Sequence, residues 1–169
     1  DKTSLLQLPG LGGTPKISSI TSLTPDGSYA AGQSIDITVT FSEPVTLAGG
    51  TLDLTLDNGS IVSIPAFGPS NTISVNYIVA PGENSANLNI ASAVLGGGAT
   101  LTDGTGVAAG MTLPFFNNLR NNTNFVVDTT AATITSITSS KANGSYGVGQ
   151  TVAITLNFSE NITLSAAGS

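Results

Sequence analysis

From residue 34 onward, apolar and polar side chains alternate in short runs, the period that lays one face of a β-strand on a core and the other in water. Ile35, Ile37, Val39 and Phe41 fall on one face, with Asp36, Thr38 and Thr40 on the other. Leu52, Leu54 and Leu56 alternate likewise with Asp53, Thr55 and Asp57, and Asp57-Asn58-Gly59 supplies residues suited to a hairpin turn. Further stripes run through Ile73, Val75, Tyr77 and Val79, through Ala86, Leu88 and Ile90, and through Phe125 to Val127. Gly and Pro punctuate the intervals, as at Pro25-Asp26-Gly27, Gly68-Pro69 and Pro81-Gly82. About seven short strands at this spacing predict an all-β fold built as a sandwich. The Gly-rich stretch from Ser92 to Asn124 carries a weaker pattern, with short strands expected around Leu101 and Leu113.

The pattern occurs twice. Residues 17–47 match residues 134–164 without a gap, at a constant offset of 117. Ile20 pairs with Ile137, Gly27-Ser28-Tyr29 with Gly144-Ser145-Tyr146, Gly32-Gln33 with Gly149-Gln150, and Phe41-Ser42-Glu43 with Phe158-Ser159-Glu160. The expected organisation is therefore an N-terminal leader or linker over 1–14, a complete repeat over 15–131, and the first strands of a second, truncated repeat over 132–169. Those last strands are too few to bury a face, because an isolated hairpin is marginal in water. Either the natural chain continues, or another segment completes the sheet; strand addition between subunits, using the apolar leader Ser4–Pro9, is the alternative.

Composition removes several chemistries. Without Cys or His there is no thiolate or imidazole nucleophile and no zinc cluster. The absence of Cys also removes disulfides, so stability must come from the core, helped by any bound ions. Only 8 % of residues are charged, against about a quarter in ordinary domains, which suits an extracellular β protein. Lys2, Lys16, Arg120 and Lys141 are the only cations in a chain of net charge −6, so no basic stripe exists for nucleic acid or an anionic membrane. No apolar run approaches the roughly 20 residues of a membrane span, and the amino terminus lacks the basic and apolar regions of a signal peptide. Any export signal is expected to have been removed or to lie outside this sequence.

DGSYAAGQSIDITVTFSEPV, TLDLTLDNGS, ATLTDGTG and NFVVDTTA together resemble successive landmarks of the bacterial Ig-like, cadherin-like tandem repeats of large surface adhesins, biofilm-associated proteins and cell-surface motility proteins. The resemblance covers almost the whole chain, and its more specific part is the FSE motif combined with a DTTA linker. It implies an immunoglobulin-like β-sandwich in a secreted, cell-surface stalk or filament, with a structural or adhesive role and no catalysis. The chain departs from the family in having Ala131-Ala132 where the linker tends to end in Pro, and Leu11 at the position equivalent to Asp128.

The resemblance also implies calcium at domain junctions. Topology adds a reason to consider it: the second strand of each repeat returns towards its linker, which places Glu160 near Asp128 and Glu43 near the start of the first repeat, with Asp103. The loops at Asp26, Asp57 and Glu83 fall at the end of the first repeat that faces Asp128. Calcium takes six to eight oxygens from irregular sets of carboxylates, amides and carbonyls. The expected ligands are thus Asp128 and Glu160 at one junction, with Asp26 nearby, and Glu43 and Asp103 at the other. That second site is expected to be weaker, since Leu11 replaces an acid. The competing reading makes Asp26 and Asp57 turn formers beside Gly, Glu83 a loop residue, and Asp36 and Asp53 solvated strand residues. Tyr29 and Tyr146 are expected to pack at the strand turn, and Phe115-Phe116 to plug the end of the sandwich, with an exposed interaction patch as the alternative. The expected partners are neighbouring repeats or identical subunits, and a surface or matrix ligand. The alternatives are a glycan- or ice-binding surface and a strand-complemented filament; an enzyme would need a paired-carboxylate cleft.

Overall fold

A computed structural model describes residues 13–164. The chain divides into two compact units, Asp1–Thr129 and Thr130–Ser169. Leu11 and the Ser4–Pro9 leader lie outside the described residues.

The first unit is mostly β, with several antiparallel sheets and almost no helix. Its elements are β1 (Ile17–Thr21), β2 (Gly27–Tyr29), β3 (Ser34–Ala48), β4 (Thr51–Leu56), β5 (Ile61–Ile64), β6 (Phe67–Ile78), β7 (Ile90–Gly96), β8 (Thr100–Asp103), α1 (Leu119–Asn122) and β9 (Phe125–Val127). One sheet has the order β1-β3-β6, with β8 pairing the later part of β3; another has the order β5-β4-β7. β2 and β9 pair in parallel.

Alternation explains this layout. Ile35, Ile37, Val39 and Phe41 from one sheet, and Leu52, Leu54 and Leu56 from the other, belong to a single buried cluster with Leu88, Ile90, Phe125 and Val127. Each such side chain contributes about 1.5–3 kcal/mol by leaving water. The turn after β4 is closed by Gly59, at φ +90°, whose amide donates to the Leu56 carbonyl at 3.0 Å.

Four details differ from the sequence pattern. β3 does not end near Glu43 but continues through Pro44 to Ala48. Its register with β6 shifts between Thr40 and Val45, and that irregular stretch accommodates a proline that has no N–H for the ladder. Ile73 and Val75 are only partly buried, and Ala86, in the irregular stretch before β7, is exposed. Leu113 lies in no strand, although it packs against the core. The same segment instead forms α1, capped by Asn118: its Oδ1 accepts from the Leu119 amide at 2.8 Å, and its Nδ2 donates to the Ile90 carbonyl at 2.9 Å.

The second unit contains β10 (Ile134–Thr138) and β11 (Thr155–Phe158), paired antiparallel. Ile134, Ser136, Ile137 and Thr138 face Phe158, Asn157, Leu156 and Thr155. In β1 and β3 the residues 117 positions earlier, Ile17, Ser19, Ile20 and Thr21, face Phe41, Thr40, Val39 and Thr38, with the same irregularity after the first pair. Side-chain bonds match as well. Ser42 Oγ accepts from the Lys16 amide at 3.1 Å, and Ser159 Oγ from the Thr133 amide at 3.0 Å. Tyr29 donates to the Pro25 carbonyl and Tyr146 to the Ala142 carbonyl, so each tyrosine closes its own turn.

Candidate functional site

β9 is built from a buried Phe125 and Val127, and its end carries Asp128. The Asp128 amide donates to the Tyr29 carbonyl at 3.0 Å, which continues the β2–β9 pairing. Asp26 guards the other end of that pairing, its Oδ1 accepting from the Asn124 amide at 2.8 Å. The loop holding Glu83 lies against the same strand: Ser85 bridges Val127, and the Gly82 amide donates to Thr129 Oγ1 at 2.9 Å. Asp57 joins this neighbourhood, with Oδ1 accepting from Ser85 Oγ at 3.1 Å and Oδ2 facing Arg120 Nη2 at 3.3 Å. That ion pair is solvent-exposed and worth about 1 kcal/mol at most. Asp26, Asp57 and Glu83 thus all hold neighbours within the first unit. Glu160 belongs to the second unit, exposed just beyond β11.

Glu83 anchors a cluster that strand parity does not reveal. Its Oε1 accepts from Ser60 Oγ, and its Oε2 accepts from Tyr77 OH at 2.6 Å and from the Ala80 amide at 2.7 Å. Asn58 Nδ2 donates to Tyr77 OH at 2.8 Å. Burial pushes the Glu83 carboxyl up, but hydrogen bonds from Ser60, Tyr77 and Ala80 together outweigh it and hold the group below its ordinary value. Burial, and then the bond to Glu83, push the Tyr77 phenol up to about 12. A carboxylate so held is a weak base, and a phenol so held is a weak acid, so the arrangement suits cross-linking of β6, its following loop and the β4–β5 turn. The sequence signal was Tyr77 itself: a tyrosine at an inward strand position must find a partner for its hydroxyl.

At the other expected pair, β8 meets β3 with Val45 opposite Asp103, two residues beyond the half-buried Glu43. Asp103 Oδ1 accepts from the amides of Thr105 and Val107 and from Thr105 Oγ1, each at 2.8 Å. The Val107 amide contributes most to holding this carboxyl below its ordinary value, against a smaller opposing effect of burial. Asp103 therefore organises the turn after β8.

The strand acids are not simply solvated. Asp36 Oδ2 accepts from the Leu23 amide at 3.2 Å and from Thr38 Oγ1 at 3.0 Å, tying the chain before β2 to β3. Asp53 Oδ1 is buried without a hydrogen-bond partner. Phe115 and Phe116 do not plug the fold: both rings are exposed, edge to face with centroids 4.8 Å apart. Beside them lies a hollow of about 510 Å³ that Asn89, Asn118 and Arg120 help to line.

Among the described residues, no three carboxylates gather in a group that could hold a metal ion. Nor is any helix among them long and apolar enough to cross a membrane. No protein-family model, curated protein or solved structure matches the chain.

Proposed function

We propose that the chain is a structural or adhesive module of a secreted bacterial surface protein, built from tandem immunoglobulin-like sandwich repeats and not catalytic. The observation that carries this reading is the recurrence of the β1–β3 pairing, irregularity included, in β10–β11 at an offset of 117. The strand pairings support the fold part of it. β1, β3 and β6 follow the A, B and E order of an immunoglobulin domain, β5, β4 and β7 follow C′, C and F, and β9 takes the place of G through the Ser85–Val127 bridge. The low share of charged residues suits an extracellular location.

Calcium at the repeat junctions, with Asp128 and Glu160 as ligands and Glu43, Asp103 and Asp26 as further donors, belongs to the same proposal. Its test is thermal unfolding of a chain carrying at least two whole repeats. The transition is expected to rise with calcium and fall with chelator, since an ion bound only by the folded state stabilises it by mass action. Identical transitions in both conditions would sink the calcium part.

A second reading, a glycan-binding surface, draws on the exposed Phe115–Phe116 pair beside the amide-lined hollow. Titration with oligosaccharides followed by NMR tests it: shifts confined to residues 113–121 favour it, and unchanged spectra reject it.

A further inference from the structure

The second unit presents on its surface the residues that form the interior of the first. Ile20, Ile37 and Val39 are each 0 % exposed, whereas Ile137, Ile154 and Leu156, each 117 positions later, are 63 %, 66 % and 47 % exposed. Ile134, Val152 and Ile162 are likewise exposed where Ile17, Ile35 and Val45 are buried.

The first unit also records what covers such a face. Along the β3 edge, Ile35, Ile37 and Val39 stand opposite Tyr77, Val75 and Ile73 of β6. Over the face lie Leu52, Leu54 and Leu56 of β4, in the same buried cluster. Among the described residues β11 pairs with β10 alone, so the edge that β6 fills in the first unit has no strand beside it in the second. An open edge next to an apolar face is a ready template for strand addition.

We infer that the second unit is a receptor for a polypeptide segment with the pattern of residues 48–129: a leucine-lined strand of the β4 type, in a sheet closing over Ile137, Ile154 and Leu156, and then an antiparallel strand of the β6 type laid along β11. The inference rests on the repeat reading above and not on calcium. The shape of the receiving face supports this occupant over others. Ile17, Ile20, Ile37, Phe41 and Leu47 recur unchanged as Ile134, Ile137, Ile154, Phe158 and Leu164. Ile35 loses one methylene as Val152, while Val39 and Val45 each gain one as Leu156 and Ile162. The volume presented is nearly conserved, and substitutions that conserve core volume are the best tolerated. The sheet that fits the first face therefore fits the second.

The test compares the 169-residue chain with one in which Leu164 is followed directly by a second copy of residues 48–129, both without added calcium. In the extended chain the amides of residues 151–158 are expected to gain protection from hydrogen exchange of at least about a hundredfold, as a locally open segment becomes part of a cooperative unit. Leu156→Asp in the extended chain is expected to abolish that gain while the first repeat unfolds at its unchanged temperature. An appended segment that stays unprotected overturns the inference. So does a 169-residue chain that sediments as a dimer lost on Leu156→Asp while the appended segment stays open, because the occupant is then a second copy. Failure of the junction-calcium reading leaves every one of these outcomes unchanged.

Discussion

The phenol of Tyr77 donates to Glu83 Oε2 across 2.6 Å, fastening β6 to the loop that follows it. The two groups respond to pH in opposite directions. The folded state holds the Tyr77 proton up to about 12, so this contribution to stability is whole below an ordinary tyrosine value of 10.0 and fades as pH rises from there towards about 12. The folded Glu83 carboxyl lies below its ordinary value of 4.5, so its contribution is present above that value and is lost as pH falls through the lowered one. Urea midpoints across this range are expected to form a plateau with a loss on each side, and Tyr77→Phe is expected to flatten the alkaline loss. Glu83→Ala is expected to cost about 1–3 kcal/mol at neutral pH, the range for hydrogen bonds to a charged group left unmade. An alkaline limb that Tyr77→Phe leaves equally steep would count against the linkage.

Ile37 and Ile154 occupy matching positions in the two units, with opposite surroundings. Ile37→Ala is expected to destabilise the first unit by about 2–5 kcal/mol, through lost burial and the cavity left behind. Ile154→Ala is expected to stay within about 0.5 kcal/mol, as exposed substitutions do. Denaturant unfolding of the two variants side by side measures the contrast, and equal costs would refute it.

Asp103 acts through its hydrogen bonds to the Thr105 and Val107 amides. Asp103→Ala is expected to speed exchange of those two amides and leave the β4–β7 ladder unchanged. In the unsubstituted protein the same loosening is expected as pH falls through the lowered Asp103 value, because a protonated carboxyl is a poorer acceptor. Amide exchange followed residue by residue checks both, and a uniform acceleration across the unit would contradict them.

Gly50 and Gly68 make a matched pair for close approach. A Cβ on Gly50 would lie 2.2 Å from the Gly96 carbonyl oxygen, whereas one on Gly68 would meet nothing within 4 Å. Gly50→Ala is expected to cost about 1–3 kcal/mol, as overpacking does. Gly68→Ala is expected to remain within about 0.5 kcal/mol. Thermal unfolding of both variants decides the matter, and a neutral Gly50→Ala would show that the β3–β4 corner can relax.

The alternation of Ile35 to Phe41 and of Leu52 to Leu56 was enough to place those residues inside, because parity along a strand decides which face a side chain takes. Parity says nothing of where a strand stops. β3 passes Glu43 and Pro44 because β8 supplies a new partner at Val45, a pairing made across more than fifty residues of chain. Helix α1 is illegible in the pattern for a related reason: its four residues carry no period, and its signal is confined to Asn118 as cap with Asn121 three positions on. Among the candidate ligands, the pattern showed which loops carry acids but not what those acids hold. Asp26 accepts from the Asn124 amide and Glu83 from the Ser60 hydroxyl, groups brought near only by the assembled sheets, whereas Asp103 accepts from amides two and four residues further along its own turn.

The parallel pairing of β2 with β9 has a mechanical meaning. One strand lies near the start of the first unit and the other at its end, with Gly27, Ser28 and Tyr29 beside Phe125, Val126 and Val127. Tension applied between the two ends of that unit pulls these strands past one another along their length, so their hydrogen bonds bear load together and not one after another as in a zipper. The unit is therefore expected to give way in a single abrupt step under force. Proline in place of Asp128, which removes the amide that donates to the Tyr29 carbonyl, is expected to lower the force at which it does so.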